Sequence, residues 1–198
     1  PSITKGMSSI EEAMKRRKTC RFIEEAGRVL KLPRVAISTA MVFFHRFYAK
    51  HAFQEHDRFE VAVAALVLAA KTEEAPKKLN TVIQECYKLK ARAMQAGHTK
   101  GEDFLKLKER ILLLERIILH TIGFELSIDH PYKFFVDMIK KLIIMSKMMN
   151  ELVQYSMSTA NDSYQTSLCL QFGPKEIATA CVYLACMFSG VEPINGDW

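Results

Sequence analysis

The stretch EVAVAALVLAAKTEEAPKK, Glu60–Lys78, holds ten consecutive apolar residues, Val61 to Ala70, that run straight into a lysine, two acids and a proline. A helix that is apolar all round has to be surrounded by other elements rather than laid on a surface. Ala62, Ala64, Ala65, Ala69 and Ala70 would let those neighbours approach closely. The run therefore predicts an all-α unit with this helix as its central post, and it leaves Lys71 as a charge at the rim of a core.

To either side, apolar residues recur every three or four positions, and there is almost no strand signal. Glu11 to Leu30 reads as one helix, with Cys20, Ile23, Gly27 and Leu30 on one stripe. Pro33 suits the first turn of a second helix running to about His51. Asp57 is placed to cap the third, which should fade near Ala75, because Pro76 disfavours helical geometry in the residue before it. Lys78 to Met94 reads as a fourth helix, AGHTKGED as a loop, and Phe104 to Thr121 as a fifth helix stopped by Gly123. After a linker, Phe124 to Pro131, the pattern resumes with helices at Tyr132–Ile144, Met148–Tyr164 and Lys175–Phe188, the last two separated by Phe172-Gly173-Pro174.

The chain repeats itself. A shift of 116 residues lays EVAVAALVLAAK (60–71) over EIATACVYLACM (176–187), with five of twelve positions identical. The same ungapped register puts Met41 over Met157 and Tyr48 over Tyr164. Two copies of one helical unit are implied, 1–127 and 128–198. The first shows five helices. The second reaches Trp198, the counterpart of Val82, and so holds about three, so the natural protein is expected to continue and apolar surface to lie open on the second copy. Where the first copy has Lys71, the second has Met187.

A second charge is also out of place. In FLKLKERILLLERIILHTIGFEL, Glu115 has Ile111 and Leu112 one turn before it and Ile118 and Leu119 one turn after. A buried, unpaired carboxylate costs several kcal/mol, roughly, so Glu115 needs a partner. Two readings fit. Lys71 and Glu115 pair with each other or reach solvent, or both stand at the edge of an exposed apolar patch as anchors for a partner protein.

Composition narrows the function. The 198 residues carry a net charge of +6, with basic clusters at Lys15–Lys18, Lys77–Lys78, Lys88–Arg92 and Lys106–Arg110. Such a balance permits an acidic partner, nucleic acid included. The longest apolar run, ten residues, is half of what a membrane helix needs, about 20. The opening residues PSITKGMSS lack the apolar core of a secretion signal. Five cysteines without a CxxC pair read as reduced, buried thiols, and no metal or cofactor is expected. No P-loop, GxGxxG, HExxH or Ser-His-Asp pattern occurs, and His51 and His56, five apart, do not share a helix face. The chain is not expected to be an enzyme.

FFHRFY (43–48), LAAKTEEAPKKL (68–79), LERIILHTIGFEL (114–126) and DHPYKF (129–134) closely resemble the cyclin box, and ANDSYQTSLCLQFGPKEIATACVYLA (160–185) is similar to a second box. The resemblance is to the transcriptional branch, cyclins T, K and L. It implies two tandem cyclin boxes, the second incomplete, in a nuclear, non-catalytic subunit. Such a subunit binds a cyclin-dependent kinase and pushes its mobile helix into the active position. The kinase would act on the C-terminal repeat tail of RNA polymerase II. Matched position by position, the resemblance implies that Lys71 and Glu115 hydrogen-bond backbone beside that helix, with Phe124 and Leu126 as apolar contacts and Glu73 and Glu74 beside the anchor.

The cell-cycle branch differs at two places. Its substrate-docking groove carries a leucine and a tryptophan where CRFIEEAG (20–27) has Glu24 and Gly27, and it has an aspartate where this chain has His45, read as a satisfied histidine at the core edge. The rival within the same architecture is an adaptor resembling transcription factor TFIIB or the retinoblastoma pocket, which would bind DNA or transcription factors. Such a protein has no use for the pairing of Lys71 with Glu115.

Overall fold

A computed structural model describes residues 1–94, 101–142 and 146–191. Among them are eight α-helices and no strand. The chain divides into two compact units, Pro1–Ile128 and Asp129–Trp198.

The first unit is built of α1 (Ser9–Val29), α2 (Arg34–Lys50), α3 (Arg58–Thr72), α4 (Leu79–Met94) and α5 (Gly101–Thr121). The opening run decides its architecture. All ten residues from Val61 to Ala70 are at most 4% exposed, and α3 packs against α1, α2, α4 and α5. The Asp57 carboxylate caps α3 by accepting from the N–H groups of Phe59 and Glu60, both at 2.9 Å. Ser8 caps α1 in the same way, accepting from Glu11 N–H at 3.1 Å. Each such cap contributes about 1 kcal/mol. Pro33 sits one position earlier than expected: it is the cap residue of α2, with extended backbone, rather than its first helical residue. Its missing N–H is harmless there, because a helix start has no acceptor for it.

Gly27 sets how closely α1 and α2 approach. A Cβ there would lie 2.5 Å from Ile37 Cγ1 and 2.7 Å from Cδ1, so the position lacks room even for alanine. His45 is fully buried rather than at the core edge. Arg16 donates to His45 Nδ1 at 3.3 Å, to Glu12 Oε1 at 2.7 Å and to the Tyr48 carbonyl at 2.9 Å. An arginine has no acceptor to offer, so Nδ1 is the acceptor and His45 carries its proton on Nε2. That proton points to Cys20 Sγ, 3.3 Å away. The sulfur is thus an acceptor, and the buried Cys-His pair is a structural contact rather than an activated nucleophile.

The loop expected at AGHTKGED lies mostly outside the described residues, and α5 begins at Gly101 rather than Phe104. Its end is sharp. Gly123 and Phe124 both take left-handed backbone, φ 65° and 59°, and their N–H groups close on His120 and Leu119 carbonyls at 3.2 and 2.9 Å.

The second unit holds α6 (Phe135–Leu142), α7 (Ser146–Ser163) and α8 (Pro174–Ser189). The helix expected from Tyr132 opens as a 3-10 turn, Pro131–Phe134, before α6. The remainder of that expected helix, to Ile144, runs past Leu142 to residues outside those described. Shifted by the repeat, α3 falls on 174–188, the span of α8. α8 packs against α6 and α7, burying Ile177, Ala178, Cys181, Val182, Ala185 and Cys186. Its other face carries Tyr183, Leu184, Met187 and Phe188, 39–77% exposed. On α3 the positions matching Tyr183 and Leu184 are Val67 and Leu68, both buried. Shifted by the same 116 residues, α4 would begin at 195, past the described residues.

Candidate functional site

Lys71 lies in the last turn of α3, and Glu115 lies in the C-terminal half of α5. The two helices pack together, and Lys71 Nζ meets Glu115 Oε1 at 2.6 Å across 44 residues of sequence. Both sequence readings meet in this geometry. The pair forms, and it forms at the surface: the lysine side chain is 54% exposed, the glutamate side chain 10%. Glu115 is thus the fixed member, held by the apolar face that also buries Ile111, Leu114 and Ile118. Lys71 is the presented member. The contact uses one of three ammonium protons, leaving two for acceptors brought by another molecule.

Both supporting helices end in uncommon backbone. The described residues hold three non-glycine residues with positive φ, Lys31, Glu74 and Phe124. Glu74 follows α3 at φ 53° and Phe124 follows α5 at φ 59°. Left-handed backbone on a non-glycine residue costs about 1–3 kcal/mol and concentrates at functional sites. Phe124 is 57% exposed, its ring edge-on to that of His120 at 5.3 Å.

The other expected residues divide. Glu73 is tied into the fold, since Thr39 Oγ1 donates to its Oε1 at 2.7 Å and its backbone caps α3. Glu74 is exposed and Leu126 half-buried. One residue was missed by sequence reasoning. Leu112, on α5 three residues before Glu115 and so beside it on the helix surface, is 38% exposed. The signal was its place in a helix with too many leucines for one face. Leu113, 49% exposed, lies two residues from Glu115 and faces away from it. Arg46 and Lys50 of α2 brace the end of α5, Arg46 against Glu125 at 3.2 Å and Lys50 Nζ against the Thr121 carbonyl at 2.8 Å.

An exposed lysine is thus held by a buried carboxylate, with Leu112 open on α5 three residues before Glu115 and Phe124 open just past the end of that helix. Residues 2–127 match the cyclin N-terminal domain, and the chain belongs to the cyclin family. It is similar to Cyclin-T1-3 of Oryza sativa subsp. japonica, 39% identical over 197 residues, 97% of this chain and 39% of that protein. It is also similar to human Cyclin-K, 38% identical over 185 residues, 93% and 31% of the two chains. Mouse Cyclin-T1 is 36% identical over 198 residues, 100% and 27%. The chain thus spans between about a quarter and two fifths of the length of these relatives. Among solved structures, it superposes on a chain of the yeast RNA Pol II CTD kinase CTDK-1 complex with a TM-score of 0.81. That match covers 97% of this chain and 59% of that one, at 19% identity. On a chain of the yeast TFIIK complex the TM-score is 0.70, covering 98% and 84%, at 18% identity. At such identities the likeness is one of fold.

Proposed function

We propose that this chain is the kinase-docking part of a regulatory subunit that activates a cyclin-dependent kinase and has no catalysis of its own. The observation that carries the proposal is the Lys71–Glu115 pair, 2.6 Å apart with its lysine end open to solvent. Glu115 aims Lys71, and the two remaining ammonium protons take backbone carbonyls beside the kinase's mobile helix. Leu112, Leu126 and Phe124 supply apolar contact. Binding favours the kinase conformation in which that helix is pushed inward and its glutamate pairs with the ATP-site lysine. A stable complex of this kind buries about 1,600 Å² or more in total.

The kinase acts on the C-terminal repeat tail of RNA polymerase II, in the nucleus. Support comes from the relatives, named as cyclins T and K, and from the similar fold in a complex named as an RNA Pol II CTD kinase. The test is a pull-down with the tagged full-length protein, mass spectrometry of any kinase recovered, and phosphorylation of a polymerase-tail peptide. The expected result is one kinase, active on the peptide, and lost with the double variant Lys71→Ala, Glu115→Ala. Recovery of duplex DNA or general transcription factors without a kinase would favour the adaptor class instead.

A further inference from the structure

The connection between α2 and α3, His51 to Asp57, reads HAFQEHD and takes no part in the proposed kinase grip. His51 is the C-cap of α2, in extended backbone. The next residues turn back on themselves: Glu55 N–H reaches the Ala52 carbonyl at 3.1 Å, and Ala52 N–H reaches Glu55 Oε2 at 3.0 Å. The backbone of His56 is held in turn, because the Tyr48 hydroxyl donates to its carbonyl at 2.9 Å. Five residues apart, the two histidines would face differently on a helix. In this loop their rings come together, centroids 5.3 Å apart and edge-on. Buried Phe47 is the shared floor, stacked under His51 at 4.4 Å and edge-on to His56 at 5.2 Å.

The hydrogen bonding of His51 fixes its tautomer. His51 Nε2 lies 2.9 Å from Thr121 Oγ1. The threonine has one proton, and it is committed to the Ile117 carbonyl at 2.7 Å. Nε2 must therefore be the donor, which leaves the lone pair on Nδ1. An imidazole held by a hydrogen bond through one nitrogen, with the other nitrogen bare, is the arrangement that metal-ligating histidines adopt. One ligand atom each from His51, Glu55 and His56 lies within 4.8 Å of the others. Tetrahedral zinc, with bonds of about 2.0–2.2 Å, holds its donors roughly 3.3 Å apart. Side-chain rotations that close about an ångström and a half complete the set.

We propose that His51, Glu55 and His56 bind a divalent first-row transition metal ion, with zinc as the physiological species. Two imidazoles and one carboxylate are a donor set that such ions favour and that calcium and magnesium do not. Three protein ligands leave a fourth position for water or a ligand from another molecule. Lys5 is the competitor. Its Nζ sits 2.5 Å from Glu55 Oε1, and an ammonium there opposes a second cation. At 51% exposed it is free to swing away when the metal enters. The loop thus exchanges a lysine for a metal ion, with the Glu55 carboxylate as the shared partner.

The test is calorimetric titration of zinc alone into the full-length protein stripped with a chelator. One equivalent should weaken about tenfold or more in each of His51→Ala, His56→Ala and Glu55→Gln, with unchanged far-ultraviolet circular dichroism. Lys5→Ala should shift the same equivalent the other way, to tighter binding, an effect that general disruption of the loop would not produce. Nitrogen NMR should show the metal-free His51 protonated on Nε2, with Nδ1 shifting when zinc is added. If a histidine variant fails to fold, Glu55→Gln and Lys5→Ala decide the matter. Zinc uptake of equal affinity in wild type, Glu55→Gln and Lys5→Ala would overturn the proposal, as would no uptake by the wild-type protein.

Discussion

Replacing Glu115 by alanine separates a structural role from a docking role, because the geometry assigns very different magnitudes to the two. In the free protein the change removes an ion pair whose lysine end is 54% exposed. Pairs so open to solvent are worth about 0–1 kcal/mol. The change also removes a carboxylate whose own burial was unfavourable, so the net loss of stability should stay within about 1 kcal/mol. In the proposed kinase complex Lys71 would be covered, and without Glu115 its charge would be left buried with no counter-charge. Truncating one member of such a pair costs about 2–5 kcal/mol of binding, a Kd raised roughly thirtyfold to a few thousandfold. The assays are denaturant unfolding of the free protein and calorimetric titration with the purified kinase. Lys71→Met, which copies the residue at the matching place in the second unit, should weaken kinase binding as Glu115→Ala does, but at a larger cost in stability, because it leaves the buried Glu115 carboxylate without a counter-charge. A stability loss of about 3 kcal/mol or more in Glu115→Ala, with kinase affinity of the folded protein unchanged, would refute the reasoning and make the pair part of the architecture.

Other consequences are independent of the kinase. Gly27→Ala should destabilise the first unit by about 1–3 kcal/mol, since its Cβ would overlap Ile37; Ile37→Ala in the same chain should recover part of the loss, and full stability of the single variant would contradict the packing. Burial pushes the Cys86 thiol up to about 12 and the Cys181 thiol up to about 11, and Cys20 is fully buried. At pH 8 the half-buried Cys169 should therefore be alkylated before those three, by peptide mapping; rapid labelling of Cys86 would contradict this. A gel shift with duplex DNA at about 150 mM salt should show no retained complex, because phosphate contacts from dispersed lysines weaken steeply with salt. A band that persists at that salt would revive the adaptor class.

Much of the fold was legible because it rests on local chemistry. Ten apolar residues without a polar face could only be a central helix, and Val61 to Ala70 are buried without exception. Asp57 and Gly123 marked helix ends by capping and by left-handed backbone, and those signals are short-range. The repeat carried the same reasoning to α8. The site was legible in part. Two misplaced charges pointed to Lys71 and Glu115, but neither residue carries the information that the other is 2.6 Å away; that distance comes from the packing of α3 on α5. Leu112 was missed because apolar residues ring α5, and periodicity cannot say which of them a neighbour covers. The His51–His56 encounter was missed for a different reason. It is made by a turn closed through Glu55, and no helical spacing rule describes it.

The most direct test of the proposed docking surface is to place a photo-crosslinking residue at Phe124 of the full-length protein and irradiate it with the recovered kinase. A crosslink from that position to the kinase's mobile helix or the backbone beside it, abolished together with binding by Lys71→Ala, is the predicted result. A fully assembled and active complex that gives no crosslink from that position to the kinase would contradict it.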